Sequence, residues 1–306
     1  MKQNHFFNNT IFLAIVACFL WSTAFVGIKI GLRYTTPLQF AGIRFFLSGL
    51  MILPFVQNFP AKWKIAKAHW KIIILVALLQ TTLVYALFYT GLEKVPASLG
   101  AMLIGAGPLF ASLVAHFMTS DDKLSKRKTS IIFLGMLGVA IISLNKENAS
   151  MHYPLLWLGI VLLLFNNIIG GIGNVVISKY GKGLPPMVLS SFSLVVGGAA
   201  LFIISLFFEK FEWKIYPKEY YLSLAWLSFL SAAAITIWFS LLKRPGVKVS
   251  DLNTWKFITP VLGAILSWII LPDEYPTFLA IVGMCIIAIA LILLNTQIVK
   301  KKKSIS

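Results

Sequence analysis

Apolar residues dominate ten stretches of this chain, approximately 10–31, 36–56, 70–91, 95–118, 129–145, 154–178, 186–208, 220–242, 249–271 and 275–295, with short polar segments between them. Each is long enough to cross a bilayer, whose hydrocarbon core takes about 20 apolar residues as helix. The pattern predicts an all-α polytopic membrane protein of ten transmembrane helices. The stretches divide into two sets of five, residues 1–147 and 148–306. Five is odd, so two such units joined end to end lie in the membrane with opposite orientation. Inverted five-helix repeats of this kind are a common plan for secondary transporters, with the site near the midplane between the repeats.

Residues as well as hydropathy repeat. Phe133-Leu134, Gly138 and Ile141-Ile142 match Phe278-Leu279, Gly283 and Ile286-Ile287 at an offset of 145. Ser98, Pro108 and Asp122 match Ser250, Pro260 and Glu274 at an offset of 152. Fixed offsets of this size mark an internal repeat. Pro37, Pro96, Pro154, Pro185, Pro186 and Pro276 stand near span starts, where a missing N–H costs little. Trp63, Trp70, Trp157, Trp213 and Trp268 stand near span ends and suit the interfacial belt.

Composition agrees with a membrane solvent: 58% of residues are hydrophobic and 12% charged, against about 25% charged in soluble domains. The net charge of +17 is decided by position. With a cytoplasmic N-terminus, 18 basic residues fall in inside segments and 7 outside, leaving Arg44 and Lys256 within spans. That bias places both termini in the cytoplasm. The basic balance therefore reports topology and anionic headgroups, and nucleic acid is not an expected partner. Cys18 and Cys285 both fall inside spans, so neither a structural disulfide nor a metal site is expected. Ile15-Val16-Ala17-Cys18 looks like a lipoprotein cleavage box, but apolar sequence continues to Ile30, which reads as an uncleaved first span.

Three sets of residues carry a resemblance. The first half reads Phe19-Leu20-Trp21-Ser22-Thr23-Ala24-Phe25, Ile43-Arg44-Phe45-Phe46 and Gly107-Pro108-Leu109-Phe110, followed by an acidic residue and a Gly-rich fifth span. The second half repeats Thr259-Pro260-Val261-Leu262, Pro272-Asp273-Glu274 and Gly283. Over nearly the whole chain this resembles the EamA family of the drug/metabolite transporter superfamily. The resemblance implies ten helices, inverted repeats and export of small metabolites or amino acids. The family usually carries Glu after the fourth span where this chain has Asp122, and Asn166-Asn167 stand where the first repeat has Trp21-Ser22.

Charges inside a bilayer are costly and are functional candidates by default. Arg44 lies 8 residues into the second span, about 12 Å along a helix, and Lys256 lies about as deep in the ninth. No Asp or Glu stands at comparable depth, and Asp251 is too far round the helix for an i,i+4 pair. Arg44 suits backbone carbonyls and helix ends; Lys256, beside Asn253, Thr254 and Trp255, either faces substrate or snorkels to the cytoplasm. Facing a cavity, the two would attract a carboxylate or phosphate. Asn166, Asn167 and Asn174, spaced by Gly170, Gly171 and Gly173, suit a polar cavity wall or interhelical hydrogen bonds. Trp21, Tyr85, Tyr89, Trp238 and Trp255 lie within spans and could form an aromatic pocket. Gly105, Gly107 and Pro108 in the fourth span, and Pro260 and Gly263 in the ninth, are hinge or packing positions.

The four histidines are scattered without metal-ligand spacing, no nucleophile–base motif lies within spans, and there is no Walker A sequence. The chain reads as a non-enzyme without cofactor, a monomer or homodimer in a bacterial inner membrane. Its expected activity is to move a small amphipathic metabolite by alternating access. An organophosphate or nucleotide-sugar exchanger is the rival within transport; a non-transporting scaffold or sensor is the rival outside it.

Overall fold

The computed structural model describes residues 9–119, 124–144, 153–210 and 215–303. Asp122 and the basic residues Lys2, Lys123, Lys146 and Lys214 lie outside the described residues, as do the side chains of Asp251 and Thr254. Among the described residues all regular structure is helical. The first half comprises α1 (Thr10–Leu32), α2 (Pro37–Ile52), α3 (Phe59–Ala68), α4 (Trp70–Val76), α5 (Val84–Glu93), α6 (Ala97–Gly105), α7 (Gly107–Met118) and α8 (Lys126–Leu144). The second comprises α9 (Leu156–Tyr180), α10 (Pro186–Phe208), α11 (Lys218–Leu242), α12 (Val249–Asn253), α13 (Ile258–Ile270) and α14 (Phe278–Lys303).

Seven helical stretches among the described residues are long and apolar enough to cross a membrane: Thr10–Leu32, Pro37–Phe55, Trp70–Glu93, Ala97–Met118, Leu156–Tyr180, Pro186–Phe208 and Lys218–Leu242. The other three expected stretches are not among these seven. α8 opens on Lys126, Arg127 and Lys128. The ninth stretch is divided into α12, a 3-10 segment at Thr254–Phe257, and α13. Among the described residues Phe278–Ala290 of α14 is a shorter apolar helix, and α14 as a whole runs on to Lys303. α3 was not expected at all; it fills the connection between the second and third spans.

The molecule is inverted relative to a soluble protein. Phe207 and Phe208 are 80% exposed, whereas Arg44 is 2% exposed and Asn167 6%. An apolar exterior around polar groups is the arrangement that lipid demands.

Packing respects the two halves. α2 lies along α10, α8 along α14, and α6 against α13. α1 meets α11 as α9 meets α5, and α1 meets α13 as α9 meets α7. Exchanging the halves returns the same set of pairs, which is the signature of an internal two-fold relation. Small residues permit the closest approaches. A Cβ on Gly198 of α10 would lie 2.3 Å from the Phe46 backbone nitrogen, and one on Gly42 of α2 would lie 2.6 Å from the Phe202 nitrogen. Backbone-to-backbone packing of this kind replaces the hydrophobic driving force that lipid removes.

Two carboxylates close helix starts across the halves. Glu209, just past α10, accepts hydrogen bonds from Leu38 N at 2.8 Å, Gln39 N at 2.9 Å and Thr36 Oγ1 at 2.6 Å. Glu274 accepts from Ala97 N at 2.6 Å and Ser98 N at 2.8 Å. The first N–H groups of a helix lack intrahelical partners, and the positive end of its dipole favours an anion.

Gly198→Ala forces a methyl group into the α2 backbone, an overpacking that costs about 1–3 kcal/mol or more. We expect its unfolding temperature in detergent to fall by several degrees, whereas Gly170→Ala, whose nearest neighbour atom is 4.0 Å away, keeps the wild-type value. Equal behaviour of the two variants would contradict the packing described.

Candidate functional site

One cavity opens between the halves, enclosing about 1020 Å³ of space with its mouth included. Its aromatic wall consists of Trp21 and Phe25 from α1, Tyr85 and Phe88 from α5, and Trp238 and Phe239 from α11. Its polar wall is made by Arg44, Gln80, Asn166, Asn167, Asn174, Asn253, Lys256 and Thr259.

Lys256 occupies the 3-10 segment between α12 and α13. Pro260 lacks the N–H that would continue an α-helical ladder back to the Lys256 carbonyl. Ile258 N instead bonds to Trp255 O and Lys256 O, which tightens this turn. The ammonium lies over two indole rings, 4.6 Å from the Trp238 centroid and 5.3 Å from that of Trp21. The two rings meet edge to face at 5.1 Å. Cation–π attraction of this kind is worth about 2 kcal/mol when desolvated. Among the described residues, no hydrogen-bond acceptor and no carboxylate pairs with Lys256 Nζ.

Arg44 is held differently. Its Nε donates to Leu227 O at 3.1 Å and Ser231 Oγ at 3.0 Å, its Nη2 to Ser231 Oγ at 2.7 Å, and its Nη1 to the Tyr89 hydroxyl. Ser231 Oγ in turn donates to Leu227 O at 2.9 Å. These partners are neutral, so the guanidinium is anchored in place while its charge is left without a described counter-ion. The planar fork of Arg suits such multi-point anchoring.

An amide relay joins three helices. Gln80 Nε2 donates to Gly170 O at 3.0 Å and to Asn174 Oδ1 at 3.2 Å. Trp238 Nε1 donates to the same Asn174 oxygen at 3.4 Å. Asn174 Nδ2 donates to Asn253 Oδ1 at 3.1 Å, and Asn253 Nδ2 to Val249 O at 2.8 Å. Gln80 is aimed by a π-helical turn over Ala77–Leu83, a local irregularity frequent at functional sites. Thr82 Oγ1 donates to Ala77 O at 3.2 Å, capping a carbonyl in that turn. Gly173 makes room, since a Cβ there would stand 2.3 Å from Gln80 Nε2.

The fourth span breaks opposite the interrupted ninth apolar stretch. α6 ends at Gly105 and α7 begins at Gly107, with Ala106 between them. Asn167 Nδ2 donates to Leu103 O at 2.8 Å just before the break. A Cβ on Gly105 would stand 2.3 Å from Pro260 Cγ, and one on Gly263 2.8 Å from Ala101 Cβ, so these residues form the contact between the spans. Pro108 is buried in the first turn of α7, and Gly107 lines the cavity.

Eight of the ten residues singled out from sequence thus share this cavity: Trp21, Arg44, Tyr85, Asn166, Asn167, Asn174, Trp238 and Lys256. Tyr89 lies behind the wall, fully buried against Arg44, and Trp255 packs half-buried against the core and is not among the residues lining the cavity. Gln80, Asn253 and Thr259 were missed. Among the described residues the Asn166 Oδ1 atom is buried without a hydrogen-bond partner, and the Thr259 hydroxyl lies beside the Cys18 thiol. Buried polar atoms left unpaired are rare and call for an explanation, such as a ligand or water.

The comparisons follow the same division of the chain. A model of the EamA-like transporter family matches residues 8–144 and again residues 157–296. The "Uncharacterized transporter YvbV" of Bacillus subtilis (strain 168) is 26% identical over 299 residues, covering 97% of this chain and 94% of that protein. A "Probable amino-acid metabolite efflux pump" of Escherichia coli (strain K12) is 26% identical over 292 residues, covering 90% and 91%. A solved crystal structure superposes with a TM-score of 0.71 at 16% identity, covering 94% of this chain and 98% of that one. At that identity the likeness speaks for the fold alone.

The geometry generates two expectations. In a variant lacking Cys18 and Cys285, Gly170→Cys should react with a water-soluble thiol reagent, because its new side chain points into open cavity; Ala17→Cys, fully buried, should not. Arg44→Lys should lower thermal stability, since one ammonium cannot reach Leu227 O, Ser231 and Tyr89 together. Lys256→Met should leave stability unchanged or raise it, since it removes a half-buried charge with no described hydrogen bond. A matching loss in both charge variants would contradict the different anchoring of the two cations.

Proposed function

This chain belongs to the EamA-like transporter family, and from that premise we propose that it carries an amino acid or related amphipathic anion or zwitterion out across the bacterial inner membrane. In this reading it has ten spans, with the repeats at 1–147 and 148–306 inverted and both termini in the cytoplasm. The exchange symmetry of the helix pairs supports the repeats, and the bias of basic residues supports the orientation. The name of the Escherichia coli relative supports amino-acid metabolites and the outward direction.

The observation that carries the substrate class is the placement of Lys256 and Asn166 on the wall of one cavity. Lys256 has rings beside it but no described anion, and Asn166 Oδ1 is an acceptor without a donor. A molecule with a carboxylate and an N–H donor satisfies both, and its apolar part fits against Phe25, Phe88 and Phe239. Pockets of this type hold a mostly apolar ligand with a few fixed polar groups. Spans four and nine, each interrupted at corresponding positions, are the elements proposed to change conformation as access alternates. Arg44 and Lys256 together also suit a phosphate, which keeps an organophosphate exchanger as the second reading.

Counterflow in proteoliposomes tests both. Vesicles preloaded with unlabelled amino acids should accumulate the labelled compound, and Lys256→Met should weaken this at least about tenfold, as expected for a lost hydrogen bond to a charged group. Unchanged transport of the true substrate by Lys256→Met would sink the assignment. Accumulation of labelled sugar phosphate without amino acid would favour the second reading.

A further inference from the structure

The segment between the second and third spans carries features that transport does not use. The chain turns at Asn58, whose φ is 53°, and α3 then runs across the end of the bundle. Ala66 is buried, Ile65 packs on the core, and Trp63 lies 5.4 Å from Phe192 of α10. With that side fixed, Lys64, Lys67 and the following Lys71 are exposed and Lys62 is half-buried. Trp63 and Trp70 remain 41% and 54% exposed, with Lys67 and Lys71 Nζ standing 5.5 and 5.9 Å from their rings. No acidic residue occurs anywhere before Glu93. The neighbouring α9–α10 turn adds to the same field, since Gly183 abuts His69 and Lys182 beside it is exposed.

We propose that α3 and the start of α4 form a docking site for anionic phospholipid headgroups. Lysines that keep their ammonium groups exposed beside half-exposed indoles match the membrane interface: the rings sit at headgroup level and the cations meet phosphate. An acidic peptide offers charge but no apolar layer for Trp63 and Trp70. A soluble protein partner would also have to enter the plane where spans two and three emerge. Because α3 rests on α10, and α10 on α2, a bound headgroup braces the pair of helices that carries Arg44. The proposal requires only that the chain lies in a membrane, so its failure would leave the transport reading untouched.

The test is thermal unfolding of the purified protein in neutral detergent with added phosphatidylglycerol or phosphatidylcholine. Phosphatidylglycerol should raise the unfolding temperature by several degrees more than phosphatidylcholine. That difference should disappear in the combined variant Lys62→Gln, Lys64→Gln, Lys67→Gln, Lys71→Gln and persist when the same four are replaced by Arg. The double variant Lys64→Gln, Lys67→Gln, confined to exposed positions, reports the same loss in smaller degree should the fourfold variant not fold. Equal effects of the two lipids on the wild type would overturn the proposal, as would an undiminished response in the Gln variants. A response to inorganic phosphate as large as that to phosphatidylglycerol would overturn it in favour of a soluble-anion site.

Discussion

A charged side chain deep in a bilayer must have its lost hydration replaced by protein groups or by water in a cavity. Arg44 and Lys256 impose this constraint twice, and the structure meets it by turning both toward one space between the halves. Much else follows from that placement. The apolar exterior faces lipid, the amides of α9 face inward, and the π-helical turn and the 3-10 segment bring Gln80 and Lys256 to the cavity. Non-helical backbone at membrane depth is tolerated only in such positions.

The two cations divide the labour. Arg44 sits on α2, and α2 is locked to α10 by glycine contacts too close for any side chain at Gly42 or Gly198. Its hydrogen bonds to Ser231, Leu227 and Tyr89 tie that fixed pair to α11 and α5. Lys256 sits on the interrupted ninth apolar stretch and touches only the faces of Trp21 and Trp238 among the contacts described. One cation is built into the scaffold; the other rests on a segment whose backbone departs from the α-helical ladder. A protein that alternates between two shapes needs both kinds of element. Glu274 extends the contrast, since it closes the start of α6 from the opposite half, at the end of the same pair of interrupted spans.

How much was legible in sequence depended on how loudly a residue contradicts its surroundings. Arg44 and Lys256 stand out because a charge in an apolar run has few innocent explanations. Asn166, Asn167 and Asn174 stand out as three amides in nine residues of one span. Gln80 is a single amide in an apolar run, and only the π-helical turn aims it at Asn174; no periodicity announces such a turn. Asn253 and Thr259 flank a 3-10 segment whose tighter winding changes which residues share a face. The same winding separates Trp255 from its neighbour Lys256. Tyr85 and Tyr89 both lie within the third span, yet the helical turn between them carries Tyr89 past the cavity to the Arg44 guanidinium. The ninth stretch reads as one span in sequence, and its division into α12, a 3-10 segment and α13 has no hydropathy signal.

The central claim is that Lys256 supplies the positive charge that receives the transported solute. It is tested most directly by an experimental structure with that solute bound. The account requires a carboxylate oxygen at about 3 Å from Lys256 Nζ, the distance of a charge-assisted hydrogen bond, with a donor of the solute facing Asn166 Oδ1. A solute bound elsewhere, with the ammonium still resting only on Trp21 and Trp238, would contradict it.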